Sequence, residues 1–585
     1  MNAYVRDSES VYSESYPPEN FISNEPEKSK DKDNFNGEEV ISYVGEVETV
    51  PAKEENVFRR FINGFKIEKN QQDSAGQGLK RRLKSRHIQM IGIGGAIGTG
   101  VWVGSSKSLY RGGAASVLID YCIVGTMVFC TVYALGELAV AFPTRGSFVT
   151  HATRFIDESW GFALSWNYVF SFIVTIPLEL TTGTMMIKYW TNLNSGIWVT
   201  VFIVFLFFIN IFGVKGYGEM EFIMSTIKVV AMCGFIILGI IIDCGGVPTD
   251  HRGYMGTHIF RENAFRHKFK GFCAVFTSAA FSFSGTEYVG VAAAETENPA
   301  KAFPVAVRQT LFRIAIFYIL SLFIVSLLIS GADPRLTSYH GVDASPFVLA
   351  IKDANIKALP SILNAIILIS VISSANAQLY AGSRAIHSLG CNGFAPKCFT
   401  LVDREGRPLV ALLILFLFMF LGYLVETGQY DTVFDWMLSI SGLGTLFCWG
   451  SICLAHIRYR AAMKHQNRSL KEVGFVSPFN VYASYYAFIL VCLVLAAEFY
   501  VSIFPVGGKP DASAFFENYL SAPVILVFFI CHKLYYKTKR ITLSNMDLET
   551  DFAYKTPVEE EEEEEKSAGS LSIKQRMKKL SDMMC

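Results

Sequence analysis

The sequence predicts an all-α polytopic membrane protein with 12 transmembrane helices, and three observations carry that expectation. Of 585 residues, 51% are hydrophobic and only 18% charged, where an ordinary soluble chain has about a quarter charged; mean hydropathy is +0.32. The charge is segregated, with polar ends around an apolar middle. Twelve apolar segments approach the roughly 20 residues that a helix needs to cross the hydrocarbon core. They lie near 88–106, 114–141, 162–187, 196–213, 221–243, 271–292, 310–330, 361–383, 409–426, 433–456, 482–504 and 517–536.

The flanks set the domain plan. Residues 1–85 are rich in Ser, Glu, Asp, Asn and Lys and read as a disordered cytoplasmic tail. Residues 86–540 form the transmembrane domain, and 541–585 a second cytoplasmic tail with a poly-Glu run, Glu559 to Glu565. An even number of spans puts both tails on one side. Clusters such as Lys80–Arg86, Lys397–Arg407, Arg458–Lys471 and Lys533–Arg540 make that side the inner one by the positive-inside rule. The loop between the fifth and sixth spans dissents, with Arg252, Arg261, Arg266, Lys268 and Lys270.

A formal net charge of zero gives no global pull toward nucleic acid. Cysteines such as Cys122, Cys130, Cys233, Cys448 and Cys492 sit in apolar runs without metal-ligand spacing and read as buried thiols. No nucleophile-plus-base pair, metal cluster or phosphate loop stands out, so the chain does not read as an enzyme, and no cofactor is implied.

The first span opens "IGIGGAIGTGVWVG", with glycine at 92, 94, 95, 98, 100 and 104. Each interior glycine costs a helix roughly 0.5–1 kcal/mol relative to alanine. Two readings explain the outlay: close helix contact through Gly94/Gly98 and Gly100/Gly104, or an interrupted helix whose bare backbone lines a cavity. The sixth span, "GFCAVFTSAAFSFSGTEYVGVAAAE", breaks over Ser282–Glu287. Spans one and six are corresponding members of two five-helix halves, and interruptions at corresponding positions point to a midplane binding site.

Six motifs then carry a family resemblance: "RHIQMIGIGGAIGTGVWVG", "ALGELAVAFPTRGSF", "FSGTEYVGVAAAETENPAKAFPVAVRQ", "INIFGVKGYGEMEF", "ANAQLYAGSRAIHSLG" and "SISGLGTLFCWGSICLAHIRYR". Over about residues 80–540 the chain resembles the fungal, yeast-type amino-acid permeases of the amino acid–polyamine–organocation superfamily. The resemblance implies a leucine-transporter-type 5+5 inverted-repeat core with helices 1 and 6 interrupted. It also implies proton-coupled uptake of an amino acid across the plasma membrane.

Substrate chemistry then assigns roles. The carboxylate needs the N–H groups and positive dipole of a half-helix N-terminus; Gly98, Thr99 and Gly100 match the break, with the Thr99 hydroxyl as a further donor. The ammonium needs acceptors, and the carbonyls of Ala96, Ile97, Phe281 and Ser284 match the positions the family uses. Phe281 or Phe283, on either side of Ser282, supplies an aromatic lid, with Phe281 favoured. Glu287 is the resemblance's candidate for coupling protons to closure, against the alternative of a static anchor. By the resemblance Lys228 stands where sodium-coupled cousins hold an ion, and as a fixed but titratable cation it is the second proton-coupling candidate, against the alternative of snorkelling to water. Glu179 would favour cationic side chains if it faces the site. Thr445, and comparably Ser373 and Asn376, are candidate pocket walls, and Glu137 is expected to pair with Arg145. On the tails, Cys585 is a lipidation candidate, and Lys28, Lys30 and Lys32 are candidate marks for ubiquitin ligase machinery. Two alternatives stay open: a permease of this fold for S-adenosylmethionine, a polyamine or another amine, and a non-transporting amino-acid sensor.

Overall fold

The computed structural model describes residues 81–337 except 96, then 345–427 and 430–554. Ala96, the N-terminal lysines, the poly-Glu run and Cys585 lie outside the described residues. The described chain is helical, with only two isolated β-bridges.

The helices follow the apolar segments. α1a (Ser85–Gly94) is separated by a break from a π-helical turn, Gly100–Gly104, and α1b (Ser105–Gly112). Then come α2 (Ala114–Ala141), α3 (Glu158–Ile187), α4 (Ser195–Ile211) and α5 (Gly213–Asp243). The second half opens with α6a (Lys268–Phe283), a break, and α6b (Tyr288–Val291). It continues with α7 (Pro299–Leu328), α8 (Leu359–Cys391), α9 (Leu409–Thr427) and α10 (Tyr430–His465). α11 (Tyr482–Ile503) and α12 (Ser521–Tyr536) follow. Eight of these are continuous helices long and apolar enough to span a membrane; α4 and α12 are shorter apolar helices. The remaining two segments are the broken ones. α3 is buried along most of its length, packed against α8 and α10, whereas α4, α9 and α11 turn many large apolar side chains outward.

The broken segments run antiparallel and touch at both ends. The backbone N–H groups of Arg82 and Leu83 donate to Glu295 O, both at 3.0 Å, just past α6b. At the opposite face, Arg266 N–H donates to Gly112 O at 2.8 Å, joining the start of α6a to the end of α1b.

Contacts gather the basic segments on one face. Arg82 pairs with Glu405 of the α8–α9 loop at 2.6 Å. The segment after α12 packs back onto this face, burying Met546, Leu548 and Phe552 among Phe142, Phe155, Tyr459 and Met463. It is tied there by Ala553 N–H to Ala141 O at 2.8 Å, Arg154 to Asp551 at 3.0 Å and Arg468 to Leu548 O at 2.9 Å. The dissenting α5–α6 loop lies on the opposite face, where Arg266 covers the Tyr110 ring at 4.4 Å and donates to Gly331 O.

Two sequence expectations need correction. Glu137 pairs with Arg460 at 2.6 Å, not Arg145, and also accepts from Ser477 N–H at 2.8 Å. Not every apolar-run cysteine is a buried thiol: Cys448 is buried, but Cys492 is exposed on α11, because an apolar run can face outward as well as in.

Candidate functional site: two broken helices and their buried carboxylates

The glycines of the first break let two backbones meet. A Cβ on Gly100 would stand 2.6 Å from Ser282 Cα, and one on Gly285 would stand 2.5 Å from Gly95 O. Gly285 also has φ +96°, a left-handed conformation that disfavours any side chain. The two readings of the glycines therefore hold together: the helix is interrupted, and the interruption is packed directly on its counterpart.

The ends of the break are held by long-range polar contacts. α1a stops at Gly94, whose carbonyl accepts from Lys228 Nζ of α5 at 2.6 Å. Lys228 is fully buried and does not snorkel. Ile97 O is not left free: it accepts from the Ser370 hydroxyl of α8 at 2.9 Å, which in turn accepts from Trp102 Nε1 at 2.9 Å. Thr99 neither bonds back to its own helix nor points its hydroxyl at an empty site. Its Oγ1 donates to Glu179 Oε2 at 2.5 Å. Glu179 thus does face the break. Its Oε1 accepts from Ser374 at 2.9 Å and Gln378 at 3.1 Å, and a Cβ on Gly98 would meet Ser374 Oγ at 2.6 Å.

The second break is built from its own side chains. α6a ends at Phe283, so Ser282 and Phe283 are helical and the break covers Ser284–Glu287. Glu287 folds back, with both carboxylate oxygens 3.2 Å from the Gly285 N–H. Trp449 Nε1 of α10 donates to Oε2 at 3.3 Å. Glu287 is thus an anchor of the break in this conformation. Thr445 reaches the break by donating to Ser284 Oγ at 3.2 Å. Ser282 is held by Tyr121, their hydroxyls 2.8 Å apart.

The two phenylalanines separate cleanly. Phe283 stacks on Tyr318 with ring centroids 4.1 Å apart and tilts against Tyr121 at 5.8 Å, which makes it core. Phe281 lies against the first break and α10, within reach of a Cβ on Gly100 at 3.0 Å and on Gly442 at 3.6 Å. Phe281 thus borders both the first break and α10.

Sequence reasoning missed Glu221. This fully buried carboxyl of α5 lies against Gly94, where a Cβ would stand 1.7 Å from Oε1. It accepts from Ser373 at 2.7 Å and Ser225 at 3.2 Å. Ser373 thus bonds Glu221, and Asn376 Oδ1 accepts from Asn210 of α4 at 3.0 Å. The signal available was Glu221 sitting seven residues, two helical turns, before Lys228 on one face. Among the described residues no His, Cys, Asp and Glu group has the form of a metal site.

Two antiparallel broken helices crossing at small residues, with buried polar groups gathered at both interruptions, define a transporter of the inverted-repeat class. Comparison with known proteins agrees. Residues 87–545 match the amino acid permease family model. The cationic amino acid transporter 1 of Schizosaccharomyces pombe is 52% identical over 565 residues, covering 95% of each chain. The amino-acid permease GAP3 of Candida albicans is 45% identical over 493 residues, covering 84% of this chain and 82% of that one. The chain belongs to the amino acid permease family, a family of transporters and not of enzymes. In fold alone it is similar to a solved manganese transporter from Eremococcus coleocola, at TM-score 0.52 and 9% identity over 79% of this chain and 98% of that one.

Proposed function

We propose that this permease is a proton-coupled symporter that imports amino acids across the plasma membrane by alternating access, with both termini in the cytoplasm. The observation that carries the reading is that each break holds its own fully buried carboxyl, bonded to the break itself: Glu179 through Thr99, and Glu287 through Gly285. A change of protonation at either carboxyl changes which donors it can hold, and so the geometry of the break.

In this reading the substrate carboxylate binds at the first break, at Gly98, Thr99 and Gly100, where the first N–H groups of the half-helix that follows have no intrahelical partner. Backbone carbonyls around Phe281 and Ser284 receive the ammonium, and Phe281 closes over the ligand. Thr445 lines the side-chain end. Lys228 holds the carboxyl end of α1a, and Glu287 links protonation to closure. Glu179 beside the break supports a preference for cationic side chains, in keeping with the name of the 52% identical relative. The same carboxyl is the feature that would favour another amine as cargo.

The test is uptake of a labelled amino-acid panel in fungal cells stripped of their own permeases, at pH 5 and pH 7, with and without a protonophore. Acid-stimulated, protonophore-sensitive uptake, led by lysine and arginine, is the expected result. Surface-expressed protein that carries no amino acid but takes up a polyamine would replace the reading with the amine carrier.

A further inference from the structure

The face that carries the docked tail has a cavity of about 620 Å³, within the range that holds small ligands. It is lined by Arg81, Arg145, Thr144, Thr150, Cys391 and Asn392, and residues 551–553 of the tail form one wall. Its charge is basic, because Asp551, the acidic group in the lining, is already paired with Arg154 at 3.0 Å. Arg145 Nη2 is buried and has no hydrogen-bond partner among the described residues. A buried, unsatisfied guanidinium N–H is costly, and a carboxylate is the partner that best satisfies it.

The chain itself supplies carboxylates at this spot. The described part of the tail reaches Tyr554, directly after the cavity wall, and seven consecutive glutamates begin at Glu559. Five residues extend at most about 17 Å, so the run begins within that reach of Tyr554 and can enter the cavity. Such a short tether corresponds to a local concentration on the order of millimolar. Its charge is opposite to that of the lining.

We infer that the acidic run Glu559–Glu565 docks into this cavity, with its carboxylates on Arg145 and Arg81. The cavity lies where the α2–α3 loop, the end of the sixth segment at Ala294 and the end of α8 meet. A docked run therefore ties three elements of that face together. The contact is independent of the transport reading.

The test uses the full chain. Cys391 lines the cavity and its residue is exposed, so a Glu562→Cys variant is treated with a mild oxidant and its disulfides are mapped by digestion and mass spectrometry. The expected product joins position 562 to Cys391, at least fivefold over Cys398, an exposed cysteine seven residues further along. Changing Arg81 and Arg145 to Gln, or the other six glutamates to Gln, should lower the yield at least fivefold. No bond to Cys391, a bond mainly to Cys398, or an undiminished yield in the neutralised chains would each overturn the inference. Uptake is measured separately on the same variants, so failure of the symport reading leaves this result legible.

Discussion

Gly100→Ala asks whether the crossing of the two broken segments is as tight as its geometry says. The added methyl would stand 2.6 Å from Ser282 Cα, 3.0 Å from Ser282 N and 3.0 Å from the Phe281 ring. Carbon atoms prefer about 3.5–4.0 Å, so the two backbones would have to part by roughly 1 Å. Ser282 cannot rotate aside, because both of its atoms here are backbone. Overpacking of this kind costs about 1–3 kcal/mol, which at 1.4 kcal/mol per decade is about a 5- to 150-fold loss. The loss should fall on initial uptake rate at normal surface level, measured with a fluorescent fusion and a labelled substrate. Gly104→Ala is the control one turn on: its methyl meets nothing nearer than Thr99 O at 3.8 Å, and alanine is the better helix former. That variant should transport normally. Wild-type uptake by Gly100→Ala, or equal damage from Gly104→Ala, would refute the crossing as the working element.

Other perturbations probe separate links. Lys228→Met strips the donor from Gly94 O and leaves Glu221 and Glu179 without the cation whose charge reaches both; an orphaned carbonyl alone costs about 1–3 kcal/mol, and uptake should be lost while the protein still reaches the surface. Glu287→Gln keeps an acceptor and the shape but cannot titrate, so uptake at pH 5 should fall to the pH 7 level. Phe552→Ala removes a ring that packs on Phe142 at 5.3 Å and under Arg468 at 4.6 Å. A cost of about 2–3 kcal/mol should show as a lower Tm in detergent. His151, in the short helix Phe148–Phe155, is buried, and burial pushes its imidazole down to about 4. The unfolded chain takes up that proton first, near pH 6.5, so the stabilisation is complete above 6.5 and is lost as pH falls toward 4, by about 3 kcal/mol in all. The drop in Tm between pH 7 and pH 4.5 should shrink in His151→Gln.

The breaks were legible because their chemistry is local. "GGAIGTG" and "FSGTE" fail as helix in their own residues, whatever surrounds them. What the breaks touch was less legible. Glu221 falls in "GYGEMEF", which reads as the approach to a span; its burial depends on Gly94, on another helix, having no side chain. Phe281 and Phe283 are two residues apart, so a helix points them to different sides, and only the position of Tyr318 decides which is core. The docked tail gave no signal either. Met546, Leu548 and Phe552 are single apolar residues scattered through a polar stretch, and they find their partners on loops and helix ends far away in sequence.

Lys228 has a thermodynamic meaning beyond its hydrogen bond. An ion bound at such a place exchanges with the solutions on either side, and its concentration ratio can then be spent on accumulating cargo. By resemblance, sodium-coupled cousins use this position in that way. An ammonium tethered by four methylenes never leaves. It holds the end of the first half-helix with a positive charge at any salt concentration, and no sodium gradient can do work through it. A permease built this way is indifferent at this position to the salinity of its surroundings, and a gradient can act here only through the ammonium's own proton.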